Sequence, residues 1–214
     1  EILSIYVDPD TRFGRAWCQP TERSRACQSA SMPAGTPEQE QTSSTTLEDL
    51  VETLGGELDR NQGIVASVSL GFTEVTDTHL AYLTELTALE RLSLYGTQIS
   101  DAGLAHLTEL TALEDLSLDG TRITDAGLTQ LTGLAALENL SLDETQISDA
   151  GLVHLTGLTG LKYLNLSDTQ ITDAGLAHLT ELTALETLYL DGTKITDAGL
   201  ARLTGLTALK VLLL

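Results

Sequence analysis

The apolar positions of this chain change period in a fixed rhythm. Leu116 and Leu118 alternate with Ser117, the spacing of a strand with one buried face. Leu128, Leu131 and Leu134 then recur every third residue, which suits a short helix or 3₁₀ turn facing the same core. The pair of patterns repeats every 24 residues, marked by Asp77, Asp101, Asp125, Asp149, Asp173 and Asp197. The unit reads L-x-x-L-x-L-x-x-T-x-I-S/T-D-A-G-L-x-x-L-x-x-L-x-x. Full copies start at Leu89, Leu113, Leu137, Leu161 and Leu185. A weaker copy starts at Val65, with Val68, Leu70 and Val75 in the matching slots, and a last one runs from Leu209 to Leu214. One unit cannot bury its Leu face alone. Stacked units share a continuous core, with their strands aligned as a parallel sheet spaced about 4.8 Å. The expected class is therefore an α/β solenoid.

The junction between the two periods is Thr124-Asp125-Ala126-Gly127 and its equivalents. Either Thr124 or Asp125 can cap the exposed amides of the turn that follows. Gly127 permits close backbone packing or an unusual dihedral. The repeated Asp reads as a structural cap. Catalysis needs one converging group, not the same group reiterated along a rod.

The strand signature L-x-x-L-x-L followed by I-T-D-A-G-L resembles the leucine-rich-repeat proteins, in particular the cysteine-containing subclass and its bacterial relatives. Thr97, Thr121, Thr145, Thr169 and Thr193 stand where that subclass often has Cys or Asn. The resemblance covers residues 64–214, about seven rungs with the last incomplete. It implies a curved right-handed superhelix with a parallel β-sheet on the concave face and short helices on the convex face. It also implies recognition rather than catalysis, and it points to no single partner.

The flanks differ from the repeats. Leu47, Leu50, Val51 and Leu54 have helical spacing, Thr45 or Thr46 can cap the start, and Gly55-Gly56 ends the helix. Residues 47–63 are expected to form a helical cap over the first rung. Residues 1–46 form an N-terminal extension. Within it, Glu1–Val7 is a strand candidate with Leu3 and Ile5 in the inward slots of a repeat strand, and residues 20–46 read as a flexible linker rich in Ser, Thr, Pro and Gln. Leu209–Leu214 ends the array on an edge strand with apolar side chains. A longer parent array and head-to-tail self-association through this edge are both open. The chain opens on Glu1 rather than Met, which leaves room for a removed leader or a longer parent protein.

Charge narrows the partner. Lys and Arg total 11 against 31 Asp and Glu, a net charge of −20. A phosphate backbone needs basic residues, so nucleic acid is excluded as a partner. A protein with a basic surface suits this field. No apolar run approaches the roughly 20 residues of a membrane span. Cys18 and Cys27 have no nearby histidine to make a zinc site, and a short disulfide in an oxidising compartment is expected, with two free thiols as the alternative. The expected location is extracellular or at the cell surface, with the cytoplasm as the alternative.

Outward strand positions carry the variable residues. They run from small and polar (Arg91, Ser93, Asp115, Ser117, Asn139, Ser141) to aromatic and apolar (Tyr163, Asn165, Thr187, Tyr189, Val211, Leu213). Just past the strands lie Tyr95, Asp119, Asp143, Ser167 and Asp191, with Glu144 and Asp168 beside them, a largely acidic rim. The candidate partner site is Tyr95, Asp115, Asp119, Asp143, Tyr163, Asp168, Thr187, Tyr189, Asp191 and Leu213. The tyrosines would act as rigid anchors and the carboxylates would steer a basic group. His106, His154 and His178 share one slot on the helical side and read as a solvent-facing ladder. No serine of the row Ser93, Ser117, Ser141 has a placed base, and no phosphate loop, nucleotide fingerprint or compact calcium loop is present. No cofactor, metal or catalytic residue is expected. The expected function is a non-enzymatic protein-interaction module. Self-assembly through the terminal strands, or the recognition part of a larger adaptor or effector, are the alternatives.

Overall fold

The computed structural model describes residues 46–214. The strand expected at 1–7, the Cys18 and Cys27 pair, and the linker before residue 46 lie outside the described residues.

The described part opens on helix α1, Leu47–Leu54. Thr46 is its N-cap. Its hydroxyl accepts from the Asp49 N–H at 3.2 Å, and the Asp49 carboxylate accepts in return from the Thr46 N–H at 3.1 Å. These reciprocal bonds satisfy two of the amides a helix start leaves open. Gly55 closes the helix in the left-handed conformation at φ 77°. Leu50 and Val51 are buried, and Val51 joins the core with Leu47 and Leu54 packed against it.

Strand β1, Glu57–Asn61, follows and pairs antiparallel with β2, Ile64–Ser69. Residues 47–63 are thus a helix plus one arm of a hairpin, not a helix alone. The hairpin turns on Gln62 and Gly63, both at positive φ (51° and 86°), the primed geometry whose twist matches paired strands.

From β2 onward every pairing is parallel. The strands are β3 (Arg91–Ser93), β4 (Asp115–Ser117), β5 (Asn139–Ser141), β6 (Tyr163–Asn165), β7 (Thr187–Tyr189) and β8 (Val211–Leu213), in sequential order in one eight-stranded sheet. The register is that of the repeat: Leu92 pairs with Leu116, Leu116 with Leu140, Leu140 with Leu164, Leu164 with Leu188, and Leu188 with Leu212. A one-residue slip would turn all these leucines to the outer face, so burial fixes the register.

Each strand leads to a corner, then to a short helical turn such as Asp125–Leu128 running into the 3₁₀ turn Thr129–Leu131. In the rung that begins at Leu113, the residues Leu113, Leu118, Ile123, Leu128, Leu131 and Leu134 are wholly buried, and Leu116 is 2% exposed. A buried Leu contributes about 1.5–3 kcal/mol, so the repeated aliphatics account for most of the stabilisation. The repeat threonine serves the same core. Thr121 Oγ1 donates to the Leu118 carbonyl at 2.5 Å, and Thr97, Thr145, Thr169 and Thr193 make the equivalent bond. A hydroxyl on the core side is thereby satisfied within its own corner.

The junction resolves into two roles. Thr124 is the N-cap, accepting from the Ala126 N–H at 3.3 Å. The Asp does not cap its own turn. Asp101 accepts from the Thr124 N–H at 2.8 Å and the Thr124 hydroxyl at 2.6 Å, both one rung ahead. Asp77, Asp125, Asp149 and Asp173 make the same pair of bonds to Ser100, Ser148, Thr172 and Thr196. A β-carbon on Gly127 would collide with the Asp101 carboxylate, so the glycine makes room for the carboxylate of the preceding rung.

Candidate functional site

The alternation that buries Leu164 and Leu188 turns Tyr163 and Tyr189 to the outer sheet face, where both are half-buried. Tyr163 stands opposite Thr187 and Tyr189 opposite Asn165, so the rings meet on the diagonal. Their centroids are 5.4 Å apart with planes at 74°, an edge-to-face pair. Thr187 and Tyr189 pair in turn with Val211 and Leu213 of β8, extending an apolar patch to the last strand. Burial pushes the Tyr163 phenol well above its usual range, reinforced by Tyr189, Asp119 and Asp143, while a hydrogen bond with Ser141 opposes the shift. Tyr163 therefore connects the aromatic pair to the acidic rim.

The rim is built at the corners. Asp119 Oδ2 accepts from the Ser117 hydroxyl at 2.7 Å, and Asp119 Oδ1 accepts from the Asp143 N–H at 2.9 Å. Asp143 itself is less well served. Its Oδ1 is the only buried side-chain oxygen or nitrogen without a hydrogen-bond partner among the described residues. Its pKa is raised to about 6, first by burial, then by the neighbouring carboxylates of Asp119, Glu144 and Asp168. The next corner residue is Gly96, Gly120 or Gly192 at φ 62° to 68° in three rungs, but Phe72 (58°), Glu144 (53°) and Asp168 (50°) in the other three. The left-handed conformation costs a side-chain-bearing residue roughly 1 kcal/mol, which the fold avoids elsewhere by using glycine.

The cations that form ion pairs do so elsewhere. Lys162 pairs with Glu138 at 2.6 Å and Lys210 with Glu186 at 2.7 Å, at the start of the strands. None of the ion pairs among the described residues involves Asp119, Asp143, Glu144, Asp168 or Asp191. Asp115 stands on the outer face of β4, beside Arg91 and hydrogen-bonded by the Asn139 amide. Burial raises its pKa, and Asn139 and Arg91 work against the shift.

The candidate residues thus fall into two groups. Tyr163, Thr187, Tyr189 and Leu213 form a patch that adjoins Asp119 and Asp143 through Tyr163. Tyr95 stands apart, at the corner of the β3 rung, with its ring 4.5 Å from that of Phe72. Phe72 was not singled out from the sequence. It is 70% exposed, adopts φ 58°, and covers Gly96. The available signal was its slot, which holds glycine in three other rungs. In the sequence Glu144 stands out only as a neighbour of the acidic rim.

Among the described residues no group of three or more His, Cys, Asp or Glu is arranged to hold a metal ion. His106, His154 and His178 lie half-buried on the helical side. A cleft between α1, β1 and the first helical turn, lined by Leu47, Arg60, Tyr82 and Leu86, lies away from the outer sheet face. No described helix is long and apolar enough to cross a membrane.

Residues 135–195 match the model of the leucine-rich-repeat family. No curated protein matches the chain. Solved structures share the fold. An internalin from Listeria monocytogenes is 25% identical with a TM-score of 0.53, over 78% of this chain and 54% of the internalin. The chain therefore spans about half the length of that relative. Internalin C2 from the same organism is 24% identical with a TM-score of 0.51, over 79% of this chain and 92% of its own. A leucine-rich-repeat protein of Leptospira interrogans is 23% identical with a TM-score of 0.55, over 68% of this chain and 36% of its own. The 24-residue rungs, the family match over residues 135–195 and the likeness to these solved structures together give this chain a leucine-rich-repeat fold.

Proposed function

We propose that the chain is a non-enzymatic recognition module that binds a protein partner on the outer, concave face of its sheet. The observation that carries this reading is the contrast between repeated and variable positions. The repeated Leu, Ile, Thr, Asp and Gly are consumed by the core and by the bonds between rungs. Among the residues that break the repeat, Tyr163 and Tyr189 meet on the outer sheet face beside Thr187, Val211 and Leu213. Rigid aromatic anchors with a charged margin are the composition of an interface centre and its rim. The surplus of carboxylates favours a partner with a basic surface. An extracellular or cell-surface location fits the two cysteines and this interaction role.

The test uses the full chain as bait against extracts of its native setting. A partner should be captured by the unaltered protein and by a His106→Ala, His154→Ala variant of the helical side. It should be lost with Tyr163→Ala, Tyr189→Ala. Equal capture by both variants would sink the concave-face reading.

A second reading is self-association through β8. It is favoured by the loss of burial at that end, where Leu209 and Leu212 are only partly covered and Leu214 is 60% exposed.

A further inference from the structure

The outer face of β6 to β8 has no covering element among the described residues, and its margin is charged in one sense only. Tyr163 and Tyr189 offer ring faces and edges 5.4 Å apart. On the side of Tyr163 that looks back along the array lie Asp119 and Asp143, both close enough to act on its phenol. Glu144 and Asp168 flank Asp143 from its own corner and from the next rung. No lysine or arginine pairs with any of these carboxylates among the described residues.

The Asp143 carboxylate is the centre of this arrangement. Its Oδ1 is buried and lacks a donor. A buried unpaired carboxylate oxygen is costly, and leaving it next to three other acids compounds the cost. The corners do not require these acids. Glu144 and Asp168 occupy left-handed positions that glycine fills in three other rungs. The local fold would be better served by fewer charges.

A guanidinium group at this margin offsets the clustered negative charge from the outer face, without having to reach the enclosed Oδ1. It donates in a planar fork that two stacked carboxylates can accept, and it stacks on a phenol ring with less loss of hydration than an ammonium. From this charge complementarity we propose that the outer face around Tyr163, Asp119 and Asp143 docks an arginine-bearing segment of a protein partner, with the guanidinium lodged against Asp143 and the Tyr163 ring.

The inference rests on the protein-binding reading of this face but fails independently of it. Loss of a captured partner in the double tyrosine variant, without any preference for arginine, would leave the face as a binding site and remove this occupant.

The experiment measures fluorescence anisotropy of labelled octa-arginine and octa-lysine peptides on the full chain in near-physiological salt. Octa-arginine is expected to bind at least about fivefold more tightly than octa-lysine. Asp143→Asn should weaken octa-arginine about tenfold, the equivalent of about 1.4 kcal/mol. Glu144→Gly, which places there the glycine of other rungs, should weaken it about threefold. Glu181→Gln, an equal charge loss on the helical side, should change it less than twofold. Lowering the pH through about 6 should also weaken binding to the unaltered chain, because the free Asp143 takes up a proton there that the cation must displace. Asp143→Asn should flatten that pH dependence. Equal affinity for the two peptides overturns the proposal. So does an equal loss in Glu181→Gln and Asp143→Asn, which would reduce the effect to bulk charge. Complete displacement of the peptide by millimolar calcium chloride, with one ion bound per chain, would replace the arginine seat with a metal site.

Discussion

Asp143 shows what one residue of the rim costs the molecule that carries it. Its neighbours Asp119, Glu144 and Asp168 and its partial burial favour the protonated form in the folded chain, with a pKa of about 6 against an ordinary 3.8. The folded value lies above the unfolded one. Its stabilising contribution is therefore complete below about pH 4 and is lost as pH rises through 6. At neutral pH the ionised group is a net liability. The nominal shift corresponds to about 3 kcal/mol, which solvent screening of a half-exposed carboxyl reduces to about 1. Asp143→Asn removes the charge and keeps the shape. It should raise the melting temperature at about pH 7.5 by roughly 2–4 °C. The gain should shrink between pH 6 and 4 and vanish below that. A variant that melts lower than the parent at neutral pH would show that the carboxylate is stabilising where it stands. A residue that weakens its own fold while sitting beside the aromatic pair is more informative about function than any residue of the core.

At the scale of the element, the unit that holds one rung to the next is the pair formed by an aspartate and the Ser/Thr-x-x-Gly turn of its successor. Asp101 grips Thr124 by two bonds and occupies the space a side chain on Gly127 would need. Gly127→Ala should therefore destabilise the chain by about 1–3 kcal/mol through the forced shift. Asp101→Ala should cost a similar amount by stripping acceptors from the Thr124 amide and hydroxyl. Since both act on one contact, the double variant should cost less than the sum by at least about 0.5 kcal/mol in urea denaturation. Strict additivity would mean that the glycine serves something else. The sequence showed that Thr, Asp and Gly belong together, because they recur together. It did not show that the Asp reaches across 23 residues, because a cap and an inter-rung bond leave the same periodic trace. Strands and core leucines were legible for the same reason that they repeat. Strand β1 was not, since Glu57–Asn61 contains one apolar residue, Leu58, and its pairing is set by the turn at Gln62 and Gly63. The outward tyrosines followed from alternation. The exposed Phe72 and the unsatisfied Asp143 did not, because corner conformation and side-chain crowding between rungs have no counterpart in a hydrophobic pattern.

The whole molecule inherits the logic of its stack. Each rung is stabilised by its two neighbours, so the ends differ from the middle. At the first rung, α1 and β1 cover the core with Val51, Leu54 and Leu58, and the antiparallel pairing of β1 occupies the edge of β2. At the other end, β8 is paired on one side only within the described sheet, and its three residues Val211, Leu212 and Leu213 are all half-buried. The leucines equivalent to Leu212 in the middle rungs, Leu140, Leu164 and Leu188, are wholly enclosed. An open strand edge with apolar side chains is a surface that another copy can cover. If it does so, light scattering of the 214-residue chain should show a mass that rises with concentration. Leu213→Lys should return it to a monomer without lowering the melting temperature by more than a few degrees, because the side chain lies on the outer face rather than in the core. The same substitution sits beside Tyr189 in the register of β7 and β8, so it should also weaken partner capture. A mass independent of concentration, together with capture that survives Leu213→Lys, would leave β8 without a role in either kind of association. It would confine recognition to Tyr163, Tyr189 and the carboxylates behind them.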